Sequence, residues 1–150
     1  MSGIAGFFHP DLIFQKENEQ VTHAITGMSD ALHRRGPDQR DFYYFPHGCM
    51  NHNALLCGRI HPQIPCETQP TTKKFSGKNY TLMYDGFISN LPELRNALQL
   101  AHVVTDGLTQ EELLLCAFLQ YGSAFVKKLN GAFAIALYDE RNNQMYLFRD

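Results

Sequence analysis

The sequence predicts an α+β fold in which an antiparallel sheet precedes a cluster of helices. Strand patterns and helix patterns follow one another in blocks, whereas a Rossmann-type sheet needs strict βαβ alternation. The chain has 150 residues, which fits one domain, and 44% of them are apolar, which allows a sizeable core. These two observations together favour a layered α+β sandwich.

The first half of the chain contains a strand, a helix and a group of short strands. Gly3 to Phe8 is an apolar run that predicts a buried strand. Apolar residues recur at helical spacing from Asn18 to His33, and Gly36-Pro37 ends this helix. Further strand-like runs lie between segments rich in Pro, Gly, Asn and Thr and indicate an antiparallel sheet; they are Phe42 to Phe45, Ala54 to Ile60 and Tyr80 to Tyr84.

The second half contains three helical segments and a hairpin. Leu91-Pro92 opens a short helix through Leu98, and Thr109 can cap a longer one through Tyr121. Ser123 to Leu129 adds a turn or two. The last strand patterns, Ala132 to Tyr138 and Gln144 to Phe148, are joined by turn-forming residues and predict a hairpin. The long helix is expected to supply core side chains from Leu113, Leu114, Cys116, Ala117 and Leu119.

Charge and hydropathy exclude several classes of partner. The net charge is −2 with no basic block, which argues against a nucleic-acid partner. No apolar run approaches the roughly 20 residues needed to cross a bilayer, and the N-terminus lacks the features of a secretory signal. We therefore expect no membrane partner and a cytoplasmic location.

Neither the cysteines nor the histidines form a metal-binding pattern. The four cysteines show no C-x-x-C pairing and are expected to be reduced thiols: Cys49, Cys57, Cys66 and Cys116. His47, His52 and His61 lie in loop-like stretches without a partner at ligand spacing. The sequence predicts no metal site.

The N-terminus places a small hydroxyl residue, Ser2, directly behind Met1. Removal of Met1 would give Ser2 a free α-amine, with a pKa of about 7.7–8.0, which can take the proton of the hydroxyl beside it. Ser2 would then combine a nucleophile with its base. The alternative is that Ser2 has no role beyond following a start codon.

Five segments spread over the whole chain match one family in order and spacing. They are Ser2-Gly3-Ile4-Ala5-Gly6, Arg35-Gly36-Pro37-Asp38, Gly58-Arg59-Ile60 with Gln69-Pro70, Tyr84 to Asn90 followed by Glu93-Leu94-Arg95, and Leu129 to Ala134 with Arg149-Asp150. Together they resemble the class II (N-terminal nucleophile) glutamine amidotransferase domain of glutamine-hydrolysing asparagine synthetases. The resemblance implies a four-layer αββα sandwich over residues 1–150.

The resemblance also implies a function and partners. In this family the N-terminal domain hydrolyses glutamine, and the ammonia passes to a C-terminal domain that adenylates aspartate with ATP and forms asparagine. That synthetase domain is absent here, and the chain is expected to be truncated within or near the end of the first domain. Glutamine and the synthetase domain are the implied partners. We expect no cofactor in this chain, since ATP and Mg²⁺ belong to the missing domain. Self-association into a homodimer stays open.

Two catalytic positions depart from the family pattern. Ser2 stands where the family has a nucleophilic cysteine, and a hydroxyl needs its proton removed during attack. Asp85 stands where the family has the asparagine whose amide, with the N–H of the next glycine, here Gly86, forms the oxyanion hole. An ionised Asp85 can only accept hydrogen bonds, and losing one donor costs about 10²–10³ in rate. An engineered cysteine-to-serine change would account for Ser2 alone.

The substrate-binding positions are also changed in part. Arg59, followed by Ile60, matches the arginine that holds the glutamine α-carboxylate, a task suited to bidentate guanidinium geometry. Phe87 replaces a family glutamate, and Gln110 replaces the aspartate that pairs with the α-ammonium. Asp106 could fill that role if the preceding loop is laid out differently. The structural alternatives are a surface charge for Arg59, an ordinary turn for Asp85-Gly86 and a solvated residue for Gln110.

Three functions follow from these residues. The first is a glutaminase-like domain with an altered, impaired site. The second is a catalytically inactive structural or docking domain of a β-lactam-synthetase-like or peptide-cyclase-like enzyme, which the changed positions favour. The third is an N-terminal nucleophile amidase with another substrate, which would account for serine and for the lost ammonium partner.

Overall fold

The computed structural model describes residues 3–14, 18–54 and 70–150. The chain divides into two compact units, Met1–Pro70 and Thr71–Asp150. Each unit combines helix with an antiparallel sheet, which confirms the predicted α+β class. The four-layer arrangement inferred from the family resemblance stays a prediction.

The first unit contains a three-stranded sheet and one helix. The strands β1 (Gly3–Phe8), β2 (Gln39–Phe45) and β3 (Gly48–Ala54) are ordered β1-β3-β2. The helix α1 (Glu19–Ala31) begins after Asn18, whose side chain accepts a hydrogen bond from the Gln20 N–H at 2.9 Å. Because this bond satisfies one of the unpaired N–H groups of the first turn, the helix starts where the sequence predicts.

The strand β3 was not predicted from the sequence. The predicted strand from Ala54 to Ile60 begins at the last residue of β3, and residues 55–60 lie outside the described residues. The missed strand carries polar side chains that are nonetheless fully buried, among them Asn51 and Asn53. Asn53 exchanges two 2.8 Å hydrogen bonds with Ser29 of α1, so burial of its amide is compensated. Such long-range pairing has no signature in strand periodicity.

The second unit contains a four-stranded sheet ordered β4-β5-β6-β7. Its strands are β4 (Thr71–Phe75), β5 (Lys78–Ile88), β6 (Gly131–Asp139) and β7 (Gln144–Arg149). The helices are α2 (Leu91–Leu100) and α3 (Gln110–Tyr121), followed by a 3₁₀ helix at Gly122–Lys128. The helices and the β6–β7 hairpin confirm the prediction, whereas β4 was missed and β5 is twice as long as predicted.

The core of this unit lies between one sheet face and the helices. Alternate residues of β5 and β6 contribute to it, and so do the buried side chains of α3. Of the core residues predicted in α3, Leu113, Leu114, Cys116 and Ala117 are buried, but Leu119 is only half-buried. Thr109 and Glu112 form a capping box, which fixes the start of α3 at Gln110.

The two described cysteines are free thiols, as predicted, and both are buried. Cys49 lies in β3 and Cys116 in α3. Burial raises the pKa of the Cys49 thiol to about 12. This thiol is therefore protonated at neutral pH and is no candidate nucleophile. Cys57 and Cys66 lie outside the described residues.

Candidate functional site

The structure places four of the seven predicted site residues, all in the unit Thr71–Asp150. Asp85, Gly86 and Phe87 lie near the end of β5, and Gln110 is the first residue of α3. The other three, Ser2, Arg59 and Ile60, lie outside the described residues. Asp106, the alternative ammonium partner, is exposed in the turn before α3.

One of the structural alternatives is wrong. Asp85-Gly86 is not a turn, because Asp85 pairs with Ala134 and Gly86 with Phe133 inside the β5–β6 ladder. Gln110 is half-buried in the first turn of α3, so its alternative, a solvated residue in a first helical turn, stays open. The sequence interpretation failed at Asp85-Gly86 because this dipeptide is typical of turns, whereas the long pairing with β6 extends the strand through it.

The backbone of Gly86 has a conformation that only glycine adopts without strain. Its φ is +127°, and a Cβ atom at this position would lie 2.2 Å from the Ala132 carbonyl oxygen and 2.7 Å from the Phe133 Cα. L side chains rarely occupy this region of φ, and a contact of this length with backbone forces the strands apart. Close approach of β5 and β6 therefore requires glycine here.

The alternation of hydrogen bonds along β5 leaves the Gly86 N–H outside the β5–β6 ladder. Odd-numbered residues make these bonds: the Asn79 carbonyl accepts from the Glu140 N–H at 3.2 Å, and the Ser89 N–H donates to the Asn130 carbonyl at 2.8 Å. In an antiparallel pair, bonded and non-bonded residue pairs alternate, so even-numbered Gly86 belongs to a non-bonded pair. Its N–H is directed away from β6.

The opposite edge of β5 has no pairing strand at Gly86 among the described residues. Within that part of the chain, β4 pairs with β5 from Lys78 to Leu82, and its first residue, Thr71, lies opposite Leu82. The geometry therefore presents the Gly86 N–H as a donor at a sheet edge. A backbone N–H of this kind can stabilise a negative oxygen.

The side chains beside Gly86 differ sharply in polarity. Asp85 and Phe87 share one face of the sheet because side chains alternate along a strand. Asp85 is half-buried, and the Phe87 ring is 67% exposed. A carboxylate thus precedes the exposed N–H directly in sequence, and a large apolar ring follows it. The carboxylate opposes any anion at the Gly86 N–H.

The structure adds Tyr84 to the neighbourhood of Gln110, which sequence reasoning missed. Its side chain is buried in the core. Its hydroxyl group has no partner that meets both the distance and the angle of a full hydrogen bond. Burial raises the pKa of Tyr84 to about 12; the nearby Gln110 side chain lowers it in part, while Glu111 and Asp85 raise it further. Tyr84 thus links two predicted site residues from different elements. Tyr84 begins one of the five family segments, but nothing in the sequence connected it with Gln110.

Replacing Tyr84 with Phe should leave the free energy of unfolding at neutral pH unchanged or higher, because a buried hydroxyl without a full hydrogen bond is lost. The folded pKa of about 12 exceeds the ordinary 10.0. Below pH 10, Tyr84 is protonated in both the folded and the unfolded chain, and its ionisation does not lower the free energy of unfolding. As the pH rises from 10 towards 12, the unfolded chain loses this proton first, so the free energy of unfolding of the wild type falls. Urea unfolding between pH 7 and pH 12 should show a shallower alkaline decline for Tyr84→Phe.

Tyr121→Phe is the matched control, since the Tyr121 hydroxyl donates a 3.1 Å hydrogen bond to the Ala97 carbonyl. It should lower the free energy of unfolding by about 1 kcal/mol at neutral pH. Equal losses for the two variants at neutral pH would contradict the assignment of the Tyr84 hydroxyl as a group without a full hydrogen bond.

Metal-binding clusters and membrane-crossing helices are both absent from the described residues. Among them, no three His, Cys, Asp or Glu side chains form a group that could hold a metal ion. None of their helices has the length and hydrophobicity that crossing a bilayer requires.

Comparison with known proteins links the whole chain to one family. The family model described as a glutamine amidotransferase domain matches residues 1–150. Asparagine synthetase [glutamine-hydrolyzing] 3 of Bacillus subtilis (strain 168) is 29% identical over 150 residues, which are 100% of this chain. A putative asparagine synthetase [glutamine-hydrolyzing] of Mycobacterium tuberculosis (strain ATCC 25618 / H37Rv) is 27% identical over 89% of the chain.

A relative with a different name also matches. Amidase chry2 of Gibberella zeae is 25% identical over 159 residues, which cover 100% of this chain. The chain spans only 23%, 21% and 22% of the lengths of these three relatives. Each relative therefore extends far beyond the part that this chain matches.

Proposed function

Because the chain belongs to the glutamine amidotransferase domain family, we propose that it is the N-terminal glutaminase-like domain of an asparagine-synthetase-type amidotransferase. It would hydrolyse glutamine to glutamate and ammonia for amide formation, at a site that is altered and impaired. The observation that carries this proposal is the Gly86 N–H, which lies on an edge of β5 without a pairing strand among the described residues, in a backbone conformation that requires glycine.

The proposed reaction begins at Ser2 after Met1 has been removed. The Ser2 oxygen attacks the carbon of the glutamine side-chain amide, and the hydroxyl proton passes to the α-amine of the same residue. The carbonyl oxygen becomes an oxyanion that accepts a hydrogen bond from the Gly86 N–H. Collapse breaks the C–N bond, and the α-ammonium of Ser2 returns the proton to the departing ammonia. Water then hydrolyses the glutamyl ester, which frees glutamate and Ser2.

Asp85 is the reason to propose an impaired reaction. Its half-buried carboxylate directly precedes the oxyanion donor Gly86, at the position where the family resemblance expects an amide donor. The site loses one donor, which costs about 10²–10³ in rate, and gains a like charge that disfavours the transition state further. Any turnover by this chain is therefore expected to be slow.

Substrate binding is assigned to Arg59, Ile60, Phe87 and Gln110. The Arg59 guanidinium would hold the α-carboxylate of glutamine, with Ile60 beside it. The half-buried Gln110 would accept from the α-ammonium without offering a charge, and the exposed Phe87 ring would offer only apolar contact. This set should bind free glutamine more weakly than a set with a carboxylate at position 110.

Two other functions compete with this proposal. Asp85 favours a catalytically inactive structural or docking domain of a β-lactam-synthetase-like or peptide-cyclase-like enzyme. The similarity to a protein named as an amidase favours an N-terminal nucleophile amidase with a different amide substrate. The neutral Gln110 and the exposed Phe87 agree with a substrate that lacks an α-ammonium.

Partners and surroundings belong to the same proposal. Glutamine and a C-terminal synthetase domain would be the partners, in a homodimer if the chain self-associates. ATP and Mg²⁺ would act only in that second domain, so this chain itself needs no cofactor or metal. We propose a cytoplasmic location without nucleic-acid or membrane partners; the net charge of −2 without a basic block supports the absence of a nucleic-acid partner.

The experiment that tests the proposal is ammonia release from glutamine, run beside the intact mass of the purified chain. We expect slow turnover by a chain that has lost Met1, and its loss after acetylation of the α-amine. Retention of Met1 would end the catalytic proposal. The absence of turnover in a folded chain that begins at Ser2 would favour the inactive domain, and release from other carboxamides alone would favour the amidase.

A further inference from the structure

Asn90 precedes α2 in the N-cap position but does not cap the helix. An asparagine there usually accepts a hydrogen bond from the N–H of the second or third helical residue. Its side chain makes no such bond. Instead, Oδ1 accepts from the Asn130 N–H at 2.8 Å, and Nδ2 donates to the Lys128 carbonyl at 2.8 Å. The Asn90 side-chain amide thus bonds to a residue 40 positions away in the sequence.

Ser89 strengthens the same connection from the neighbouring position. Its N–H donates to the Asn130 carbonyl at 2.8 Å, and its Oγ donates to the same oxygen at 3.0 Å. Three hydrogen bonds therefore join Asn130 to Ser89 and Asn90, and Asn130 contributes only its backbone N–H and carbonyl to them. We call this set of four bonds, between Ser89-Asn90 and residues 128–130, the end bridge.

The end bridge closes the ladder that carries Gly86. The last pairs of the β5–β6 ladder are Phe87 with Ala132 and Ile88 with Gly131. Gly86 and Gly131, at φ values of +127° and +153°, are the residues here with the least steric constraint on the backbone. The Gly86 N–H and carbonyl make no bond to β6 by alternation, so their direction depends on how firmly the neighbouring pairs are held.

We propose that the Asn90 side chain is a positioning residue, which through the end bridge holds the Gly86 N–H in the direction needed for an oxyanion. This inference rests on the proposed function, in which Gly86 is the donor. Asn90 itself touches no reacting atom. Its effect passes through Ser89 and the last ladder pairs to Gly86, within one unit of the chain.

The test compares Asn90→Ala with Asn130→Ala. An oxyanion exists only in the transition state, so a displaced donor lowers kcat and leaves KM nearly unchanged. We expect Asn90→Ala to lower kcat for glutamine by about tenfold, part of the 10²–10³ that full loss of a donor costs. Asn130→Ala should match the wild type within about twofold, because the exposed Asn130 side chain is not used in the end bridge.

A conservative variant separates positioning from general destabilisation. Asn90→Asp keeps the acceptor for the Asn130 N–H but loses the donor to the Lys128 carbonyl, so its kcat should fall between those of wild type and Asn90→Ala. Amide hydrogen exchange is measured on the same proteins. Exchange at Phe87 and Ser89 should be about tenfold faster in Asn90→Ala, since ladder ends open locally, and unchanged at Leu82.

The two readouts distinguish failure of this inference from failure of the proposed function. Wild-type turnover with equal kcat values for Asn90→Ala and Asn130→Ala would overturn the positioning role. If the wild type releases no ammonia, the proposed function fails. In that case, amide exchange that is faster in Asn90→Ala but not in Asn130→Ala supports the end bridge as the element that holds Gly86. Equal amide exchange in the two alanine variants overturns it.

Discussion

The triple variant Ser2→Cys, Asp85→Asn, Gln110→Asp should release ammonia from glutamine at least about 10²-fold faster than Ser2→Cys alone. A thiol supplies a better nucleophile at neutral pH than a hydroxyl. The oxyanion at Gly86 would still face the Asp85 carboxylate in the single variant, so little activity should return. Asparagine at position 85 removes that charge and adds an N–H donor, and aspartate at position 110 supplies a charge for the α-ammonium.

Steady-state ammonia release, measured with intact mass to verify loss of Met1, checks this prediction. Asp106→Asn in the triple background is the matched control, because it makes the same chemical change at the exposed turn. It should leave kcat and KM unchanged; a raised KM would assign the ammonium to Asp106 instead. Equal activity in the single and triple variants would show that Asp85 and Gln110 do not limit the reaction.

Replacing Gly86 with Ala should lower the free energy of unfolding by about 3 kcal/mol or more. The new Cβ would lie 2.2 Å from the Ala132 carbonyl oxygen, in backbone that cannot give way without separating β5 from β6. Overpacking costs about 1–3 kcal/mol, and an unfavourable positive φ adds about 1–2 kcal/mol. Urea unfolding followed by far-ultraviolet circular dichroism measures the change.

Gly107→Ala separates these two causes. Gly107 has φ +72°, and no atom lies within 4 Å of a Cβ placed there. Gly107→Ala should therefore lower the free energy of unfolding only by the cost of the positive φ, about 1 kcal/mol. A loss at Gly86 no larger than that at Gly107 would mean that β5 and β6 can move apart at low cost. It would also mean that close approach of these strands does not fix the direction of the Gly86 N–H.

The family could be identified from short sequence motifs alone. Segments from Ser2 to Arg149-Asp150 match in order and spacing, and the family model covers the same residues. Short motifs carry this information because each needs particular residue types, such as glycine at position 86, for a local geometry. The helices were also well predicted, since caps such as Asn18 and Thr109 act through neighbours two or three residues away.

The strands β3 and β5, in contrast to β1, β6 and β7, were predicted poorly, for the opposite reason. β3 carries buried polar residues whose partners lie elsewhere, such as Asn53 with Ser29, so its pattern is not that of an apolar strand. β5 continues through Asp85-Gly86 because β6 pairs with it, although the dipeptide by itself favours a turn. Both outcomes depend on residues distant in sequence, which periodicity cannot include.

The sequence by itself determined the α+β class, the helices and the family, because these depend on residue types and local spacing. Only the tertiary structure decided that Gly86 lies in a strand with its N–H directed away from β6, that Tyr84 lies near Gln110, and that Asn90 bonds to Asn130. The physical reason is that hydrogen-bond direction and burial arise from pairing between distant segments, and no single segment encodes its partner.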